Sequence, residues 1–255
     1  MFKKITSVFI MTLFVFGSFT NLKAQETEEY AMWESFYITP DNTKLKALGD
    51  AMAKHNAKYH KEGPHRAIVY NVVTGPNMGK MIWQMGPLNF SHLDSRPSDG
   101  GHDEDWRDNV MPNVKKLSNG EYWKQENDPS NTAMLEGDDI IYPILHIRYF
   151  EVNEGHGYQI EHLMGQIGKA VKDMDGENPW GVYDNQFRQG DLGRHMATVM
   201  FHKNWASYDT KRKFKDSFLK VNGKDSWDAF DKGMDTAFSN SWDEIWEYNA
   251  KLSGQ

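Results

Sequence analysis

The sequence predicts an α+β fold of two tandem β-α-β-β-α-β units whose antiparallel sheets face each other within one chain. Three observations predict it. Strand-like and helix-like segments follow one another in this order twice. A hairpin motif recurs after about 113 residues, which suits a duplicated domain better than a solenoid repeat. Each predicted helix covers only one face of its sheet, so the other apolar face needs a partner that the second unit can supply.

The recurring hairpin begins with Val-Tyr-Asn at residues 69–71 and Val-Tyr-Asp at residues 182–184. A glycine turn follows in both places, at Gly75 and Gly190, and predicts a tight connection between two strands. Behind each hairpin comes a similar aromatic segment, at residues 89–94 and 204–209. The repeat therefore continues beyond the hairpin.

The first unit is expected over residues 28–126, the second over 140–252, and a polar linker with Pro129 and Gly137 over 127–139.

Residues 1–24 read as a secretory signal peptide, with Lys3 and Lys4 before an apolar run. The alternative is an uncleaved N-terminal anchor. Without a cysteine the chain has neither a lipoprotein thiol nor a disulfide, so we expect a periplasmic or secreted protein that is free of the membrane after cleavage.

The charge balance argues against two classes of partner. The chain has 29 Lys and Arg against 36 Asp and Glu. Removing the three lysines of the signal peptide leaves 26 − 36, a net charge of −10. Such an acidic protein lacks the positive surface that binding to nucleic acid or to an anionic membrane requires.

Aromatic residues make up 13% of the chain, and they either fill two small cores or line a cavity.

In the first unit, strands are predicted at residues 31–38, 67–73, 78–85 and 120–125, with helices starting near Pro40 and covering 89–94 and 105–117. In the second, strands are predicted at 140–150, 180–187, 192–201 and 242–248, with helices at 154–174, 204–220 and 226–238.

The element order, the glycine hairpin and the aromatic segments at 89–91 and 204–208 resemble the dimeric α/β-barrel superfamily, in its NIPSNAP-like and antibiotic-biosynthesis-monooxygenase-like forms. The superfamily also includes the haem-dependent chlorite dismutases. The resemblance covers nearly the whole mature chain and implies two ferredoxin-like sheets that enclose a cavity. Members use this cavity for cofactor-free oxygenation or for haem, and some have no known reaction. No motif carries a catalytic residue over to this chain.

Alternation along the fifth predicted strand points to candidate catalytic residues. Leu145, Ile147 and Tyr149 form one apolar face, which we expect under the helices. His146 and Arg148 would then enter the cavity, where a proton acceptor beside a fixed positive charge suits an anionic or enolate-like ligand. Asp184, on the second hairpin, could orient His146 or pair with Arg148, which makes it the third catalytic candidate.

Four further positions are expected to contact a ligand in the cavity: Glu34, Asn71, Gln84 and Phe150. Glu34 lies 112 residues before His146 and could meet Arg148 across the barrel. The alternative is that Arg148 and Glu34 form a purely structural ion pair and that His146 lies at the solvent-exposed rim of the cavity.

No metal site is expected from the histidine spacing. His55 stands alone in an apolar helix stripe, which indicates a core histidine, with a haem or metal ligand as the alternative. His55 and His60 are five residues apart and do not share a helix face. The acidic loop at 99–105 could hold Ca²⁺ but lacks the EF-hand pattern, and a solvated loop that caps the next helix is favoured.

Two function classes remain open. One is an enzyme without a bound metal, oxygenase-like or isomerase-like, that acts on a small aromatic or carbonyl compound. The other is a carrier or sensor that binds such a compound, and a haem-binding barrel is a third hypothesis. Whether the chain is an enzyme and whether it forms oligomers stay open, and no cofactor is favoured.

Overall fold

The computed structural model describes residues 30–135, 137, 140–188 and 192–254. The predicted signal peptide and Gly190 lie outside these residues. Within them, no helix is long and apolar enough to cross a membrane.

The first half contains four strands and three helices: β1 (Met32–Pro40), α1 (Leu45–Tyr59), β2 (Ala67–Val72), β3 (Met81–Leu88), α2 (Phe90–Leu93), α3 (His102–Asp105) and β4 (Val114–Asn131). The helix expected over residues 105–117 is shorter and irregular, with π and 3₁₀ turns from Trp106 to Asn113. Pro112 cannot donate a backbone hydrogen bond there. β4 continues into the segment expected as a linker, because Asn131 pairs with Trp180 of the second half after a change of register.

The second half repeats this order: β5 (Ile144–Val152), α4 (Ile160–Asp173), β6 (Trp180–Asn185), β7 (Met196–His202), α5 (Phe214–Asn222), α6 (Trp227–Ala237) and β8 (Phe238–Tyr248). A 3₁₀ turn at Trp205–Asp209 precedes α5, where the sequence predicts one continuous helix. The side chain of Asn204 caps this turn and accepts from the backbone of Ser207. Asn89 caps α2 in the same way.

The eight strands close into one antiparallel barrel in the order β1-β3-β2-β8-β5-β7-β6-β4. The sequence predicts two sheets that face each other, and the structure joins them at both edges. β2 pairs with β8 on one side, and β4 pairs with β6 on the other. Closure gives the edge strands of each half backbone partners, so none of the eight described strands is left with a free edge.

Three apolar clusters hold the barrel and its helices together. One fills the barrel interior and includes Leu145, Ile147 and Tyr149. The second packs α1 on the outer face of the first half, and the third packs α4, α5 and α6 on the outer face of the second half. The expected alternation of β5 is present, but the assignment of its faces is wrong, because the apolar face that was expected under the helices lies inside the barrel. Both faces of this barrel wall carry large apolar side chains, so hydrophobicity alone does not distinguish them.

Candidate functional site

The barrel contains a cavity of about 680 Å³ that is partly open to solvent and is lined mainly by apolar and aromatic side chains. Every second residue of a barrel strand points inward, so several strands contribute to one lining. Eight of the lining residues are aromatic: Trp33, Tyr70, Trp123, Tyr142, Tyr149, Tyr183, Phe201 and Trp246. A concave site of this kind suits a flat, largely apolar molecule.

Four polar side chains interrupt the apolar lining of the cavity: those of Arg66, Gln84, Gln125 and Thr132. The side chain of Gln125 donates to Asn127 and Thr132, at 3.1 Å each. Gln84, which the sequence predicts as a ligand contact, also lines the cavity. In the part of the chain that the structure describes, its amide has no hydrogen-bond partner. Gln84 can therefore donate to and accept from a polar group of a bound molecule.

A buried charged network lies beside this lining. Arg194 donates from Nε and Nη2 to the two carboxylate oxygens of Glu121, at 2.6 and 2.8 Å. Its Nη1 donates to the hydroxyl oxygen of Tyr37 at 2.9 Å, and its guanidinium carbon lies 3.7 Å from the centre of the Tyr149 ring. The side chains of Arg194 and Glu121 are only 4% and 0% exposed. This pair is therefore held in a dry environment by two parallel charge-assisted hydrogen bonds.

A second buried carboxylate, Glu244, completes the network. Its Oε2 accepts from the hydroxyl of Tyr37 at 2.7 Å and from Nε1 of Trp246 at 3.0 Å. Its Oε1 accepts from Asn77 at 2.6 Å. Trp123 donates to Glu121 at 3.1 Å, just as Trp246 donates to Glu244. The two halves thus contribute matching glutamate–tryptophan pairs, although an arginine contacts only the carboxylate of the first half.

Burial decides the protonation of the two tyrosines at the centre of the network. It raises the pKa of both Tyr37 and Tyr149 well above the ordinary value, so both phenols keep their protons at neutral pH. The single proton of Tyr37 is donated to Glu244, so at the 3.3 Å contact between the two hydroxyls Tyr149 is the donor. The hydroxyl oxygen of Tyr37 therefore accepts twice and donates once, and has no capacity left for a ligand.

The three predicted catalytic residues lie outside the cavity. Arg148 forms two hydrogen bonds of 2.8 Å with Asp243 on the outer face of the barrel, where both side chains are partly exposed. Nε2 of His146 lies 3.5 Å from the same carboxylate. Asp184 follows the inward-facing Tyr183 and lies on the opposite face of β6. A catalytic role for these residues stays a prediction, but their expected position in the cavity is wrong.

Of the four predicted ligand contacts, only Gln84 lines the cavity. Glu34 accepts from Arg96 at 2.7 Å on the outer face, so the expected contact with Arg148 does not form. Phe150 packs on Phe238 in the outer cluster of the second half, with ring centres 4.5 Å apart. Asn71 alternates with the inward-facing residues of β2 and is also on the outer side. These three positions share the inverted face assignment of His146.

The sequence did not predict the charged network, because its members come from β1, β4, β5, β8 and the segment before β7. One signal for it was present: Glu-x-Trp occurs at residues 121–123 and again at 244–246, in the closing strands of the two halves. Two acidic residues at matching positions that alternate with buried tryptophans indicate inward-facing carboxylates. The partner Arg194 carries no comparable signal.

Comparison with known proteins defines the fold. No protein-family model and no curated protein matches the chain. A proposed monooxygenase from Fusobacterium nucleatum aligns with a TM-score of 0.53 at 7% identity, over 87% of this chain and 94% of that one. An anthrone oxidase-like protein aligns with a TM-score of 0.52 at 10% identity, over 87% and 92%. The chain has the dimeric α/β-barrel fold. A mutant chlorite dismutase from Candidatus Nitrospira defluvii shares it, with a TM-score of 0.50 at 9% identity over 89% and 97%.

Haem is a cofactor that this α/β-barrel fold implies, and the residues of the cavity do not fit it. Among the described residues that line the cavity there is no histidine or methionine to serve as an axial ligand. The tyrosines that line it are poor ligands, because burial raises the pKa of Tyr70, Tyr142, Tyr149 and Tyr183 and keeps each phenol protonated. We therefore derive no haem chemistry for the barrel.

Proposed function

We propose that this α/β-barrel protein binds a small, neutral, largely aromatic molecule with a carbonyl or hydroxyl group inside the barrel. The observation that carries the proposal is the aromatic cavity of about 680 Å³ in the barrel, with the amide of Gln84, which has no partner among the described residues, in its wall. An apolar lining favours the ring system, and one amide suits a single polar substituent. A charged ligand is disfavoured, because the nearby Arg194 is already paired with Glu121, and Arg66, which lines the cavity, is also engaged within the protein.

Binding without catalysis is the simpler form of this proposal. The carboxylates of Glu121 and Glu244 both accept several hydrogen bonds within the protein, so neither is poised as a free general base. The second candidate is a cofactor-independent oxygenase. It is supported by fold neighbours described as a monooxygenase and as anthrone oxidase-like. In that case the bound molecule would itself supply the reactive carbon.

Export, duplication and the subfamily are also parts of the proposal. The matched strand order of the two halves and the matched caps at Asn89 and Asn204 support a tandem duplication and a NIPSNAP-like subtype.

We propose that a mature form begins at Gln25 in the periplasm or medium. N-terminal sequencing of the exported protein tests this, and recovery only in the membrane with Met1 intact contradicts it.

Blocking the cavity tests the binding proposal. Val199 lines the cavity, whereas its neighbour Thr198 points to the outer face of the same strand. Quenching of tryptophan fluorescence by anthrone, used as an aromatic carbonyl probe, reports occupancy next to Trp33, Trp123 and Trp246. We expect Val199→Phe to weaken binding by at least about tenfold and the matched control Thr198→Val to leave it unchanged. Equal binding by wild type and Val199→Phe would contradict the proposal.

Oxygen consumption separates the two candidate functions. A carrier binds anthrone without consuming oxygen, whereas an oxygenase consumes it at a rate that falls in Val199→Phe. Native mass spectrometry of the protein as isolated would identify a retained physiological ligand.

A further inference from the structure

Three imidazole rings converge on the outer side of the first half, away from the barrel cavity. His55 lies on α1, His60 directly follows the end of that helix, and His102 is the first residue of α3. One ring nitrogen of each lies within 4.8 Å of a ring nitrogen of the other two. The Nε2 atoms of His60 and His102 are 3.1 Å apart.

The other nitrogen of each ring is held by an oxygen acceptor. Nδ1 of His55 lies 2.8 Å from the carboxylate of Asp105, and Nδ1 of His102 lies 2.7 Å from that of Asp103. Nδ1 of His60 lies 2.8 Å from the backbone carbonyl of His65. Because a carbonyl or carboxylate oxygen only accepts, each Nδ1 carries the hydrogen. In a neutral ring, the lone pair is then on Nε2.

This arrangement leaves the Nε2 atoms without protein donors. Two lone pairs 3.1 Å apart repel each other unless an electrophile is placed near both. Nε2 of His55 is buried and has no hydrogen-bond partner among the described residues. A buried acceptor without a partner costs about 1–3 kcal/mol.

We propose that His55, His60 and His102 bind one divalent transition metal ion through their Nε2 atoms. Nitrogens bound at 2.0–2.1 Å to a tetrahedral ion are about 3.3 Å apart, close to the separation of His60 and His102. Imidazole ligands select ions such as Zn²⁺, Cu²⁺, Ni²⁺ or Fe²⁺ and not Ca²⁺ or Mg²⁺, which prefer oxygen. Three protein ligands leave a coordination position for water on the side of His102, the most exposed of the three rings.

The surrounding acceptors have the form of an outer ligand shell. A ligating histidine almost always donates its second N–H to a carboxylate, carbonyl or water, which fixes its orientation and tautomer. All three rings meet this condition here. The acidic loop at 99–105, which the sequence suggested as a weak Ca²⁺ candidate, thus contributes one ligand and two orienting carboxylates. The ion would also tie α3, a single helical turn, to the end of α1.

Metal titration of the full chain tests the proposal. Wild-type protein stripped with a chelator is titrated with Zn²⁺ by calorimetry and with Co²⁺ by visible absorption, which reports a tetrahedral nitrogen site. We expect one ion per chain. Loss of a ligand in His102→Gln should weaken binding by more than the about 10–100-fold expected for Asp105→Asn, which removes only an outer acceptor.

The control is His162→Gln, which removes an exposed histidine on α4 and should not change the affinity. Thermal melts of the metal-free variants verify that each is folded, and Asp105→Asn keeps all three ligands if His102→Gln fails to fold. Absence of stoichiometric Zn²⁺ binding by wild type overturns the proposal. So does binding that is equally tight in wild type, His102→Gln and Asp105→Asn.

Discussion

Arg194 and Arg148 each form two hydrogen bonds with a carboxylate, but they lie on opposite faces of the barrel wall. Arg194 and Glu121 are almost fully buried beside the cavity, whereas the side chains of Arg148 and Asp243 are 49% and 40% exposed. The local geometry is nearly the same, so the difference lies in the surroundings. A buried pair that loses one member leaves an uncompensated charge, while water solvates the remaining member of an exposed pair.

The largest expected effect is that of Arg194→Met. The change leaves Glu121 buried without its cation and removes one donor from Tyr37, so we expect a loss of about 3–5 kcal/mol in the free energy of unfolding. Urea denaturation measures it. The double variant Glu121→Leu/Arg194→Met should recover much of the loss, because no buried charge remains. A loss below about 1 kcal/mol in the single variant would show that water reaches the pair and that the comparison fails.

A smaller loss is expected from Tyr37→Phe, which keeps both charges. The hydroxyl of Tyr37 contacts Arg194, Glu244 and Tyr149, so its removal leaves three buried groups short of one hydrogen bond each. We expect a loss of about 1–3 kcal/mol. Tyr149→Phe is the matched control, since among the described residues its hydroxyl bonds to Tyr37 alone and should matter less. Equal losses in the two variants would contradict this description of the network.

Asp184 shows that a carboxylate on the outer face of the barrel can still be shielded from water. Its effect on stability therefore reports burial and not the face on which the residue lies. Burial, assisted by the neighbouring Glu126, raises its pKa to about 6 from an ordinary 3.8. A raised carboxyl pKa means that the folded state holds the proton more tightly, so stability is lost as the pH rises from about 4 through about 6. We expect Asp184→Asn to be about 1–2 kcal/mol more stable than wild type near pH 7.5 and equal to it near pH 4. Denaturation across this pH range measures the difference, and a constant difference would contradict the assignment.

The smallest effect is expected for Arg148→Met. The partner Asp243 stays partly exposed, so the loss should be within about 0–1 kcal/mol. Binding of anthrone should not change, because Arg148 lies outside the cavity. Calorimetry and thermal melts on this variant and on Arg194→Met provide the direct comparison. A weakening of binding by tenfold or more would instead support the role that the sequence predicts for Arg148.

Much of the architecture follows from local pattern. The alternation of Leu145, Ile147 and Tyr149 predicts a strand with two distinct faces, and the structure has both. The glycine turn predicts the first hairpin, and Gly75 has a φ of +87° in a place where a Cβ atom would lie 2.4 Å from the backbone oxygen of Asp243. A residue with a side chain would be strained there and would also collide with β8. Such features depend on near neighbours in the chain, which is why the sequence reveals them.

The candidate sites depend on contacts between distant residues. Of the seven predicted site residues, Gln84 alone lines the cavity, because alternation states that two faces exist but not which one is enclosed. The aromatic interior and the helix-covered exterior are both apolar in this barrel. Which face of each strand points inward is therefore decided only when β2 pairs with β8 and β4 pairs with β6.

The sequence by itself determined the order of strands and helices and the acidic balance of charge, since each is a property of composition or of short-range periodicity. Only the tertiary structure decided that Arg194 meets Glu121 across 73 residues and that His102 joins His60 across 42. Neither pair has a spacing that a helix or strand would impose. Their contacts arise from barrel closure and from the packing of α3 on α1, where burial makes each polar group require a partner.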